Sequence, residues 1–148
     1  MIRNTLRLTT FLLITVLIAA CGGSEDGYTV DENLPLDQQV DLLIENNEYQ
    51  AALTMLDGED RNDPEIATLL EKIHLNFGLH SMNTFDETEM RTRMNNALTQ
   101  FTEVLRINPD NAVAREQIQQ IMMIYGTIPD REPEPEVLEG LREVGFDY

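Results

Sequence analysis

The chain has 148 residues, 42% of them apolar, with 27 Asp and Glu against 10 Lys and Arg, for a formal net charge of −17. That length supports one small domain with a modest core, and that apolar content argues against a largely disordered chain. So acidic a surface repels phosphate backbones and excludes nucleic acid as a partner; it leaves open either a basic or uncharged partner or a merely solvated acidic coat.

Met1 to Leu8 carries Arg3 and Arg7 and no acid, and Phe11 to Ala20 is almost wholly apolar. A basic start followed by an apolar run too short to favour a bilayer span is the pattern of an export signal. The run ends in Ile18-Ala19-Ala20-Cys21, with Gly22, Gly23 and Ser24 following. This resembles the lipobox of bacterial lipoproteins. The resemblance implies removal of residues 1–20 by cleavage between Ala20 and Cys21, and acylation (palmitate among the acyl groups) of the Cys21 thiol. The residues suit that chemistry: small Ala side chains fit a peptidase cleft, and the thiol is the nucleophile for a thioether link. Cys21 is the only cysteine, so no disulfide can form within the chain. Gly22 stands where an Asp would hold such a protein in the inner membrane. The resemblance therefore implies an outer-membrane lipoprotein facing the periplasm, or the outer face of the cell membrane if the source has no outer membrane. Without Arg3 and Arg7 the mature chain carries 8 basic against 27 acidic residues, or −19. Residues 21–35 form the acylated Cys and a Gly-, Ser- and acid-rich tether, whose flexible coil spans about 20 Å on average.

Asp37 to Asn47 places Val40, Leu43 and Ile44 on one face of a short helix, with Leu42 beside them, and Asn46-Asn47 supplies a left-handed stop. Tyr49, Ala52, Leu53 and Leu56 form the face of a second helix that ends near Asp57-Gly58. Asn62-Asp63-Pro64 opens a third, with Ala67, Leu70, Ile73, Leu75 and Phe77 as its apolar positions. Thr84-Phe85-Asp86-Glu87 offers a capping box for a lengthened fourth helix, on which Ala97, Phe101, Val104 and Leu105 share a face. Pro109 stops that helix, and Asp110-Asn111 can cap a fifth that buries Ala114, Ile118, Ile121, Met122 and Tyr125 and ends at Gly126. Residues 127–148 comprise a stretch held extended by Pro129, Pro133 and Pro135, then an acidic terminal helix over Glu134 to Glu143. Val137, Leu138, Leu141 and Val144 are its packing residues.

The two halves match in part. Ala52 is followed by Leu56 and Pro64, and Ala97 by Phe101 and Pro109, at equal spacings. The run from Ala97 to Ala112 resembles a tetratricopeptide repeat, and the run from Asn47 to Pro64 is similar to it. The resemblance implies an all-α fold of antiparallel helix–turn–helix repeats over residues 36–126, closed by the terminal helix as a cap. The repeat is degenerate: Ala52 and Ala97 are 45 residues apart, and Val40, His74 and Gln119 occupy the positions where the family places a glycine. The family's concave groove maps here to Asp41, Ile44 and Glu45, then Glu71, Leu75 and Leu79, then Glu116, Gln120 and Met123. That mixture of acids and apolar side chains suits a basic amphipathic segment of another envelope protein.

Catalytic signals are lacking. His74 and His80, six residues apart, fall on different faces of a helix, which suits surface or half-buried histidines better than metal ligands. Asp57 to Asp63 is acid-dense, yet it lacks the sixth-position glycine and twelfth-position acid of a calcium loop. Serine occurs only at Ser24 and Ser81, outside any nucleophile motif. The methionines, Met82, Met90, Met94, Met122 and Met123 among them, serve as core filler or as an adaptable binding surface. The sequence thus points to a non-catalytic, lipid-anchored interaction module of the bacterial envelope, with no metal and no cofactor beyond the lipid on Cys21. The alternative is a structural subunit or assembly factor of an envelope machine for outer-membrane protein insertion, pilus assembly or secretion. Neither reading specifies an oligomeric state.

Overall fold

A computed structural model of the chain describes residues 28–84 and 88–148, and every regular element among them is helical. The helices are α1 (Leu36–Glu45), α2 (Tyr49–Met55), α3 (Pro64–Asn83), α4 (Met90–Ile107), α5 (Ala112–Thr127) and α6 (Pro135–Glu143). The expected all-α class is thus the class observed. The lipobox lies outside the described residues. No described helix is long and apolar enough to cross a membrane.

Local chemistry sets most helix ends. Asn47 takes φ 62° after α1, and its N–H and that of Glu48 donate to the Ile44 and Leu43 carbonyls, so the orphan acceptors at that end are satisfied. Asp63 caps α3 by accepting from Glu65 N–H at 2.8 Å, with Pro64 in the first turn. Asn111 caps α5 by accepting from Ala114 N–H at 2.9 Å. Two ends differ from expectation. Gly126 does not stop α5, which runs on to Thr127; the stop comes from Pro129, which holds Ile128 extended at ψ 110°. Thr84 closes α3 instead of opening α4, its hydroxyl donating to the His80 carbonyl at 2.8 Å, and the rest of that capping motif lies outside the described residues.

The helices enclose two apolar cores joined through α3. The first gathers Val40 and Leu43 of α1, Tyr49 and Ala52 of α2, and Ile66, Leu69, Leu70 and Ile73 of α3. The second gathers Ala97, Leu98, Phe101, Val104 and Leu105 of α4, Ala114, Ile118, Ile121 and Tyr125 of α5, and Leu141 and Phe146 from the C-terminal segment. Helix α3 serves both because it has two apolar stripes. At about 100° per residue, Ile66, Leu70 and Ile73 lie half a turn away from Leu75, Leu79 and Met82. The former are buried in the first core, and the latter pack against the second. Helix α4 lies centrally, pairing with α3, α5 and α6, while α1, α2 and α3 pair among themselves.

Helix α3 meets the Phe101 ring of α4 at Gly78, one turn past His74. A Cβ at Gly78 would lie 2.6 Å from Phe101 Cε1, so only glycine admits the aromatic ring there. Phe101 is fully buried against it, a burial that contributes on the order of 1.5–3 kcal/mol. At the other end, Gly145 takes φ 91° and turns the chain back, with Phe146 N–H donating to the Leu141 carbonyl at 3.0 Å. Phe146 thereby enters the second core beside Leu141, and Arg115 lies over its ring at 5.6 Å. The terminal helix therefore packs as expected through Leu141, Val137, Leu138 and Val144, with Phe146 as an unforeseen anchor.

Candidate functional site

The residues expected to line a groove have separate fates. Asp41 pairs with Lys72, tying α1 to α3 across the first core. Ile44 is half-buried against that core, and Glu45 is exposed. The Glu71 carboxylate accepts from Asn108 Nδ2 at 2.9 Å and Asn111 Nδ2 at 2.8 Å, so it pins the α4–α5 turn to α3. Leu75 and Leu79 pack against the second core. Glu116, Gln120 and Met123 are exposed on one face of α5, with Met123 at 73% the most exposed large apolar side chain among the described residues. Val113 and Ile124, both exposed, extend that face. Cys21 and Ala20 lie outside the described residues.

Between the cores runs a polar seam. His74 and Gln100 meet at 2.7 Å, Gln100 donates to Asn96 Oδ1 at 3.2 Å, and Asn96 donates to Ser81 Oγ at 2.7 Å. Because the amide oxygen of Gln100 can only accept, the Nδ1 of His74 carries the proton. His74 is buried, where the sequence suggested a surface or half-buried position, because α4 lies directly over it. Burial holds its pKa below the usual histidine value, against the raising effect of the Gln100 bond and Glu103. Its Nε2 is buried without a hydrogen-bond partner. His80 is half-buried, its ring tilted on Tyr49 at 5.4 Å, so the two histidines do not converge. No cluster of three metal-ligating side chains occurs among the described residues.

A small, mainly apolar cavity lies between the start of α4 and the end of α5. Arg91 and Arg131 line it together with Met90, Met94, Ile124, Ile128 and Tyr125. Neither arginine forms an ion pair among the described residues, a state they share with Arg61, Arg115 and Arg142. The Tyr125 hydroxyl is buried and unpartnered. Burial pushes its pKa up, while Arg91 and then Arg131 pull it down and Glu134 raises it. Sequence reasoning placed Tyr125 in the core and overlooked the two arginines, since nothing in the chain links Arg91 to a residue forty positions later.

Geometry is the sole guide to the role of these sites: no protein-family model, curated protein or solved structure matches the chain.

Proposed function

We propose that this chain is a lipid-anchored, non-catalytic interaction module of a bacterial envelope, built on degenerate tetratricopeptide-like hairpins and capturing a partner protein on the outer face of α5. The observation that carries the reading is the exposure of Val113, Glu116, Gln120, Met123 and Ile124 along one helix. Two acids of the anticipated groove, Asp41 and Glu71, are already committed to contacts within the chain. Beyond the single exposed Glu45 of α1, the α5 portion is the part left open to a partner. Its mixture of Glu116 and thioether and aliphatic side chains suits a basic amphipathic segment. The address rests on the resemblance of Ile18-Ala19-Ala20-Cys21 to a lipobox, which places the tethered domain at the periplasmic side of an outer membrane.

The test is a crosslinked pull-down of the lipidated protein from its own membranes, beside Glu116→Arg/Met123→Asp and Cys21→Ser. Both α5 side chains are exposed, so their replacement spares the cores. The reading expects one recurrent envelope partner, reduced at least fivefold by the double substitution. Undiminished capture by that variant overturns the α5 assignment. Undiminished membrane attachment of Cys21→Ser overturns the lipid anchor.

A further inference from the structure

Two adjacent methionines on α5 have opposite fates. Met122 is half-buried and packs against the second core, whereas Met123, the next residue, is 73% exposed. Met82 and Met94 also pack against the second core and Met55 against the first, and Met90 is 38% exposed. Access orders thioethers in their reaction with an oxygen donor, because the sulfur lone pair must reach the oxidant. The helix around Met123 leaves its sulfur open. Gln119, Gln120 and Thr127 are the neighbours one turn away along that face. The two glutamines are exposed, and the Thr127 hydroxyl turns back to donate to the Ile124 carbonyl at 2.7 Å. A thioether is a weak acceptor, but an oxygen added to that sulfur accepts from the nearby amide N–H groups of Gln119 and Gln120. The helix thus offers donors to the oxidised side chain and nothing that shields the reduced one.

We propose that Met123 is an oxidation site through which a peroxide switches off the α5 face, an inference that rests on that face being the docking surface. The sulfur lone pair attacks one oxygen of hydrogen peroxide. An S–O bond forms, the O–O bond breaks, and the departing hydroxide takes up the remaining proton and leaves as water. The thioether is oxidised to a sulfoxide and the peroxide is reduced. A polar, chiral group then stands where an adaptable apolar one met the partner, and docking has to strip water from it. A thiol-dependent methionine sulfoxide reductase reverses the step: the oxygen leaves as water while two thiols become a disulfide.

The experiment uses the lipidated protein in phosphatidylcholine nanodiscs, with a synthetic amphipathic Lys/Leu helical peptide as the docking probe and empty nanodiscs as background. Under graded hydrogen peroxide, peptide mass spectrometry is expected to find sulfoxide first at Met123 and next at Met90, with Met122 about tenfold slower than Met123. At the dose that oxidises Met123 alone, probe binding weakens about fivefold, and methionine sulfoxide reductase restores it. Met123→Leu binds as the native chain does and ignores the peroxide, while Met123→Gln binds as weakly as the oxidised protein. Both variants alter an exposed side chain, so both keep the cores intact. Equal oxidation of Met122 and Met123, unweakened binding after selective oxidation, or the same loss in Met123→Leu each overturns the switch. A probe that fails to bind the untreated protein overturns the α5 docking face itself, and the switch falls with it.

Discussion

The two ends of the molecule differ in how completely their side chains are used. Around the first core, Tyr49 stacks on Phe77 at 5.0 Å, Asp41 meets Lys72, and the large apolar side chains of α1 and α2 are buried or half-buried. Around the second core the interior is equally closed, with Leu98, Phe101, Ile118, Ile121 and Leu141 all at 0% exposure. Yet its outside is unfinished: α5 carries Val113, Met123 and Ile124 in solvent along one face. A well-packed interior under an unsatisfied exterior is a rigid platform for recognition. The closed end serves the open one by holding α3, against which α4 and the α4–α5 turn are set.

The sharpest way to break this arrangement is at the joint. Phe101→Ala removes a fully buried ring that contacts Gly78 across α3 and α4, and is expected to cost about 3–5 kcal/mol in urea unfolding. Gly78→Val forces a side chain into the same ring and is expected to cost about 1–3 kcal/mol. Phe101→Leu in the Gly78→Val background should recover part of that loss, and a double-mutant cycle measures the coupling. Strict additivity would mean that the ring and the glycine do not share one space.

Glu71→Ala separates the turn from the helix beneath it. The carboxylate accepts from both Asn108 and Asn111, so its loss is expected to cost about 1–3 kcal/mol and to raise amide exchange at the start of α5. The same bonds show why reversing the Glu71 charge is a poor probe of partner capture: it would disturb α5 from below.

The seam should respond to pH. Burial lowers the pKa of His74 in the folded state, so the unfolded chain binds its proton more tightly. Stability then rises with pH across the window below the unfolded value of about 6.5, and is lost as pH falls from there towards the lowered folded value. Thermal melts between pH 7.5 and pH 5 should show a decline that His74→Gln reduces. An unchanged decline in that variant would assign it to the carboxylates instead. The smallest effect is expected at Asp41→Asn. That ion pair is nearly half-exposed on both sides, so its loss should cost below about 1 kcal/mol and less still in 0.5 M salt.

Much of this architecture is legible locally. Asn47, Asp63-Pro64 and Asn111 announce helix ends because caps act within a few residues, and Ala97, Phe101, Val104 and Leu105 announce a face because helical spacing repeats. What was hidden joins distant positions. Glu71 meets an asparagine 40 residues away, and Gly78 owes its place to a ring on the next helix. Phe146 lies beyond the terminal helix and is brought inward by a glycine turn that periodicity does not record. The arginine cavity depends on where two helix ends happen to meet. Composition announced an acidic chain and gave no hint that two of its few cations share one cavity.

The central claim is that recognition belongs to the open end of the molecule. Its most direct test is site-specific photocrosslinking in native membranes, with the reactive residue placed at Met123 on α5 or at Gln38 on α1, both exposed. A discrete partner adduct from position 123 and none from position 38 is the predicted result. Adducts of equal yield from both positions, or an adduct from position 38 alone, would contradict it.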